Sequence, residues 1–304
     1  MIGYGYWGQI LSKYFIKDNG FEIKYIATRN PEKIRSAAPE GADVTRPENI
    51  YSDPTLNCVI VASPIDSHFQ IVLNLLKNGK HVFCEKPLAL KSAEAHILAE
   101  EARKKNLCLF TDYTLAFSPG ICKVIELAKS GTIGAITAAD FNFRQLGHFK
   151  HNVYADVGCH VLSVLDKLIP IEKLNFHKND LVTRNGLTET GIILFNSLSP
   201  HHDLRGSAFL SFNYPNKERK ISLYGDKGTI IFNITGEHTV SVILYERKTN
   251  LPAGIQNVNT AHFDFDETNT LLEPVKAFHR CLERLRPDNL ASSIRITEAL
   301  EKFL

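Results

Sequence analysis

The chain has 304 residues, with 35 Lys and Arg against 33 Asp and Glu, a net charge of +2. That balance, with the basic residues spread along the chain, leaves no electrostatic footprint for nucleic acid. Hydrophobic residues make up 44% and charged ones 22%, which argues against disorder and against collagen-like or coiled-coil chains; no apolar run approaches the roughly 18 residues of a membrane span.

The first element is a glycine pattern. Gly3-Tyr4-Gly5-Tyr6-Trp7-Gly8 fits G-x-G-x-x-G and opens Gln9 to Ile16, where Ile10, Leu11, Tyr14 and Phe15 recur at helical spacing. In this pattern the first glycine makes a tight turn and the second lets backbone approach a pyrophosphate. The third lets the helix pack on the sheet with its N-terminus facing the phosphate charge. Gly3, Gly5, Tyr6, Trp7 and Gly8 are therefore candidate cofactor contacts. A strand normally precedes the first glycine, yet only Met1 and Ile2 do so here. A central strand of that length should leave neighbouring backbone groups unpaired, so the first strand is expected to be truncated, through residues missing upstream or, alternatively, in a natural chain with a weakened sheet centre.

Phe21 to Ala27 reads as a strand, and Cys58 to Ala62, His81 to Cys84 and Leu107 to Thr111 as buried apolar strands. Helical stretches alternate with them at Pro31 to Ala38, His68 to Lys77 and Ser92 to Lys105. The alternation predicts a parallel sheet with right-handed crossovers, a Rossmann-type domain. The cofactor-choosing position follows the second strand, where NAD sites usually carry Asp or Glu for the ribose. Thr28-Arg29-Asn30 stands there instead. Arg29 suits adenine stacking or a 2′-phosphate, which favours NADP(H) and leaves NAD(H) open.

Loops at the carboxyl ends of parallel strands line the ligand crevice. After the third strand comes Ser63-Pro64-Ile65-Asp66-Ser67-His68, and after the fourth Glu85-Lys86-Pro87. Ser63, Pro64, His68, Glu85 and Lys86 are cofactor candidates. A lysine at a buried strand end can donate hydrogen bonds to a substrate hydroxyl, and partial burial lowers its pKa towards neutrality. A surface lysine at a turn is the plain alternative.

The ordered set Gly3-x-Gly5-x-x-Gly8, Ser63-Pro64 to His68, and Glu85-Lys86-Pro87 resembles the glucose–fructose oxidoreductase / inositol dehydrogenase (Gfo/Idh/MocA) family across the whole chain. The resemblance implies that Lys86 is catalytic and that Lys86-Pro87 is a cis peptide. Asp156-Val-Gly158-Cys-His160 matches the family's D-x-G-x-H element. The i, i+4 spacing puts Asp156 and His160 on one helix face, a pairing that suits proton transfer and hydroxyl binding. The family often carries another Asp where Ser163 stands, which removes one substrate contact. Leu146-Gly147-His148-Phe149 with Asn152-Val153, and Tyr113-Thr114 to Ser118-Pro119, resemble the branch acting on nucleotide-linked sugars. They add Tyr113 and Asn152 to Lys86, Asp156 and His160 as substrate contacts.

Beyond that helix the chain is strand-rich: Ala135 to Phe143, Gly191 to Phe195, Ser207 to Asn213, Arg219 to Tyr224, Thr229 to Ile234 and Val240 to Arg247. Leu271 to Arg284 and Ser293 to Leu304 close as helices. The expected fold is α/β: residues 1–115 a Rossmann domain, and residues 116–304 an α+β domain with an open, mostly antiparallel sheet. The resemblance implies a homodimer or homotetramer through that sheet. His201-His202-Asp203 has no third metal ligand at suitable spacing, so no metal is expected. The six cysteines form no CxxC pair. Unpaired buried thiols and the lack of a visible signal peptide predict a cytoplasmic protein. The expected activity is NAD(P)-dependent interconversion of a secondary alcohol and a ketone on a sugar, cyclitol or nucleotide-linked sugar. A reductase of a non-sugar carbonyl or double bond, and a non-catalytic nucleotide sensor, are the rivals.

Overall fold

The apolar runs of the first third, with the short polar segment Asp43–Thr45 not expected from the sequence, lie edge to edge as parallel strands in the computed structural model, which describes residues 1–18, 20–147, 149–198, 204–247, 255–285 and 287–304. They are β1 (Tyr25–Ala27), β2 (Asp43–Thr45), β3 (Cys58–Val61), β4 (His81–Glu85) and β5 (Leu109–Asp112). β1 pairs with β2, and β3 with β4 and β4 with β5, all parallel. Ile2 bridges both Ala27 and Val61. Ile2 N donates to Ile60 O at 2.7 Å and Gly3 N to Ala27 O at 2.9 Å, while Ala27 N and Ala62 N donate to Met1 O and Ile2 O at 2.8 Å. Met1 to Gly3 therefore take the central-strand place, and the backbone groups beside them are paired. Helices α1 (Tyr6–Lys17), α2 (His68–Lys77) and α3 (Ser92–Lys104) follow as the periodicity predicts.

Two local expectations change. The helix expected over 31–38 is two 3₁₀ turns, Pro31–Lys33 and Arg35–Ala37; neither buries a residue, so no apolar stripe sustains an α-helix. The strand expected from Phe21 begins only at Tyr25. Phe21 instead joins an aromatic cluster, with ring centroids 5.0 Å from Phe15 and 6.0 Å from Phe278.

Residues Leu115–Thr268 and Lys302–Leu304 form a second compact unit. It holds α4 (Pro119–Lys129), β6 (Ile136–Leu146), a π-helical turn at Tyr154–Gly158 and α5 (Cys159–Leu168). It continues with β7 (Leu174–Arg184), β8 (Leu187–Ser197), β9 (Arg205–Ser211), β10 (Asn213–Gly225), β11 (Gly228–Asn233), β12 (Thr239–Arg247) and β13 (Ile255–Asp264). These strands make one sheet in the order β13-β12-β11-β10-β6-β9-β8-β7, parallel only between β6 and β9. Phe141, Phe143, Leu210, Ile221, Leu223 and Phe232 are buried along it. β7 escapes sequence reading because Lys178 to Asp180 and most neighbours are exposed and carry no apolar alternation.

The remaining helices, α6 (Leu272–Leu282) and α7 (Leu290–Glu301), lie within 269–301, which belongs to the first unit rather than to the second domain expected from their place in the chain. Phe278 of α6 packs with Phe15, Phe83 and Phe110 at centroid distances of 5.5 to 6.4 Å. Such pairs add about 0.5–1.5 kcal/mol each beyond area burial. On α7's side, Asn289 receives Thr111 N at 2.9 Å and donates to Thr111 O at 2.7 Å, and Ser293 Oγ donates to Thr111 Oγ1 at 2.9 Å. Cys108 and Cys281 are joined as a disulfide, with Cα atoms 6.6 Å apart. This corrects the expectation that all six thiols are unpaired, so the cysteine pattern no longer speaks for a reducing compartment. Among the described residues no helix is long and apolar enough to cross a membrane.

Candidate active site

The glycine turn sits where chain β-carbons cannot. Gly3 has φ +88°, and a Cβ there would lie 2.5 Å from Ala62 O. A Cβ on Gly8 would lie 2.4 Å from Gly3 O, so helix and turn touch through bare backbone. Gly5 is different: a Cβ there meets nothing within 4 Å. α1 then starts with no side-chain cap and no acidic residue in its first turn. Its first N–H groups are left for an anion, and the dipole favours one. The open side at Gly5 and the uncapped helix end fit a dinucleotide pyrophosphate. Tyr6 and Trp7, 74% and 48% exposed, stand at this end with their rings edge to face.

At the strand ends, Thr28 N donates to Thr45 O at 3.0 Å and Arg29 is exposed. Ser67 Oγ donates to Ser63 Oγ at 2.8 Å and to Pro64 O at 2.6 Å, closing the loop after β3. His68 is buried, with Nδ1 2.9 Å from Pro87 O and Nε2 2.9 Å from Ser63 O. Both ring nitrogens face backbone carbonyls, of which a neutral imidazole donates to one, so His68 sits between the loop after β3 and the loop after β4. Burial lowers its pKa, against the pull of the two carbonyls. Lys86 N lies 3.2 Å from Glu85 Oε2, and Lys86-Pro87 is cis, as the resemblance implied. Tyr113 is 2% exposed.

In the second unit, Asp156 lies in the π-helical turn and His160 in the first turn of α5, both half-buried. Turns of this kind are frequent at functional sites. Asn152 shapes the turn: its Oδ1 receives Tyr154 N at 3.1 Å, and its carbonyl receives Ala155 N at 3.0 Å. Tyr154 OH donates to Asp180 Oδ1 at 2.8 Å, anchoring the turn to β7. Burial, then that bond, push the phenol's pKa up. Ser163 Oγ donates to His160 O at 2.8 Å and is buried, so it offers no substitute for a substrate-binding carboxylate.

Two polar residues were missed from sequence. Asp112, at the end of β5, is completely buried. Arg219 is 7% exposed, with Nη2 2.6 Å from Gln145 Oε1 and its guanidinium 5.0 Å above the Phe143 ring. Burial lowers its pKa to about 10, opposed by the charge of Asp156. The available signal was its register: Arg219, Ile221 and Leu223 share the buried face of β10, and a cation at an inward place needs a reason. His201, His202 and Asp203 lie outside the described residues. Among the described residues no three His, Cys, Asp or Glu could hold a metal ion.

The family described as "Oxidoreductase family, NAD-binding Rossmann fold" (GFO_IDH_MocA) matches residues 1–113. Myo-inositol 2-dehydrogenase of Thermotoga maritima is 38% identical over 88 residues, 29% of this chain and 26% of that protein. The chain spans only about a third of the length of several curated relatives it matches. UDP-N-acetylglucosamine 3-dehydrogenase of Acidithiobacillus ferrooxidans superposes with a TM-score of 0.83 at 15% identity, covering 99% of this chain and 94% of that one. A 3-ketoreductase of Actinomadura kijaniata in complex with NADP and TDP-benzene also gives 0.83, at 17% identity and with the same coverage. At such identities the likeness shows the fold, a Rossmann domain followed by a large, mostly antiparallel sheet.

Proposed function

We propose that this chain, whose residues 1–113 match the Gfo/Idh/MocA oxidoreductase family model, is an NAD(P)-dependent oxidoreductase interconverting a secondary alcohol and a ketone. The substrate class is a sugar, a cyclitol or a nucleotide-linked sugar. One observation carries the reading: the anion-ready turn at Gly3 to Gly8 and Lys86 share the carboxyl edge of one parallel sheet, where such sheets hold their ligands.

The turn and the α1 N-terminus hold the pyrophosphate, and Thr28, Ser63, Pro64 and Glu85 lie at the neighbouring strand ends. Arg29 stands where NAD sites usually carry a carboxylate, which supports NADP(H) over NAD(H). When bound, the nicotinamide accepts or returns the hydride. Lys86 Nζ donates a hydrogen bond to the reacting oxygen and lowers the cost of charge on it. The His160 imidazole takes the hydroxyl proton in oxidation and gives it back in reduction, with Lys86 able to exchange that part. Asp156 accepts from an adjacent substrate hydroxyl or orients His160, and Asn152 and Tyr113 are further candidate substrate contacts.

The two solved likenesses act on or bind nucleotide-linked compounds by their own descriptions, which supports that branch. The reading also includes a cytoplasmic homodimer or homotetramer formed through the open sheet, on which Leu181 and Leu194 are 47% and 50% exposed. Nicotinamide fluorescence during a panel of polyols, sugars and nucleotide sugars tests the activity. Turnover with any member supports it. Cofactor binding without turnover across the panel favours a nucleotide sensor.

A further inference from the structure

Asp112 ends β5 beside Lys86. The parallel ladder pairs Glu85 with Asp112, so the carboxylate and the lysine leave the same edge of the sheet one residue out of step. The Asp112 side chain is completely buried. Its Oδ1 accepts from Thr114 Oγ1 at 2.7 Å, whereas Oδ2 has no hydrogen-bond partner among the described residues. A buried, half-satisfied carboxyl is costly to keep, and such costs gather where function needs them.

We propose that Asp112 is a positioning residue for Lys86: from its unsatisfied oxygen it holds the lysine in the charged, hydrogen-bond-donating form. The inference rests on the reading above, in which Lys86 donates to the reacting oxygen. The titratable groups around the carboxyl are Lys86, Glu85 and Cys84 at the end of β4, with His68 of α2 facing Lys86. Asn289, just before α7, and Ser293 of α7 contribute uncharged partners at Thr111. Burial raises the Asp112 pKa to about 6, opposed first by the Thr114 hydroxyl and then by the charge of Lys86. As an anion Asp112 favours the ammonium; once protonated it withdraws that support. The donor strength of Lys86 is thereby tied to a group that titrates near neutrality, and the two titrate as a pair.

A purely local role is the competing explanation, since Asp112 and Thr114 also form an Asx-type turn. Asp112→Asn separates the two, because it keeps an oxygen for Thr114 and removes the charge. The experiment follows the Lys86 resonance by NMR in the full chain carrying ¹³C-methylated lysines, assigned by its loss in Lys86→Arg. In the unsubstituted protein a minor step from Asp112 should precede the main Lys86 titration. Asp112→Asn should abolish that step and lower the main midpoint by about one pH unit. Thr114→Val, which keeps the charge, should move the minor step to higher pH, and it carries the test if Asp112→Asn does not fold. A Lys86 curve unchanged in both variants overturns the proposal. The readout needs no turnover, so a silent substrate panel with a shifted Lys86 curve would defeat the dehydrogenase reading and leave the pairing standing.

Discussion

In the N-terminal unit the candidate groups leave the ends of parallel strands, and Gly3 and Gly8 close their turn through bare backbone. In the C-terminal unit they stand on a π-helical turn, on the first turn of α5 and on the face of an antiparallel sheet. The difference is topological. A parallel sheet with crossovers has a built-in ligand edge, so a short turn motif suffices to mark it. An antiparallel sheet has no such edge, and each functional side chain must be placed individually by packing. Tyr154 tied to Asp180, and Arg219 tied to Gln145, are that placement at work.

The largest expected effect would show how far the first unit depends on its distant segment. Phe278→Ala removes the ring that meets Phe15, Phe83 and Phe110, and should cost about 3–5 kcal/mol in denaturant unfolding. A loss well under 1 kcal/mol would mean α6 adds little to this core. Next, Lys86→Ala and His160→Ala each probe one unit's chemistry. Either should cut turnover at least ~100-fold with cofactor affinity near normal, and near-normal turnover in one variant removes that residue's role.

Gly5→Val probes the ligand edge alone. A β-carbon at Gly5 meets nothing within 4 Å, so thermal stability should hold while cofactor affinity falls by about tenfold or more. Unchanged binding would place the pyrophosphate elsewhere. Arg29→Ala should weaken NADP(H) by about tenfold and leave NAD(H) untouched; equal losses for both would make Arg29 an adenine-stacking residue.

The smallest effect concerns the strain in Asp112. Its folded pKa, about 6, lies above the ordinary carboxylate value of 3.8, so the folded state binds the extra proton. Stability is fully present below the unfolded pKa and is lost as pH rises through the folded one. Asp112→Asn should therefore melt about 2–4 °C higher at pH 8, with the gain gone at pH 4. A gain that is constant with pH would separate it from Asp112 ionisation.

Much of the first unit was legible because its signals are local. Gly3, Gly5 and Gly8 are read within six positions, and Lys86 directly follows its strand. Contacts across long separations were not legible. Nothing near Phe278, Cys281 or Asn289 announces that they meet Phe83, Cys108 and Thr111. His68 is legible by position alone, since only the fold reveals that both its nitrogens face backbone carbonyls. Asp112 lay in plain view at the end of an apolar run. Its neighbour Tyr113 lies in a segment that resembles a known family branch, whereas the buried carboxyl belongs to no such motif.

Isotope transfer tests the central claim most directly. The protein would be supplied with oxidised cofactor and a substrate from the panel, deuterated at its carbinol carbon. The account predicts deuterium at C4 of the reduced nicotinamide, with transfer nearly abolished in Lys86→Ala. Product formed with the label released to water, and none on the nicotinamide, would contradict it.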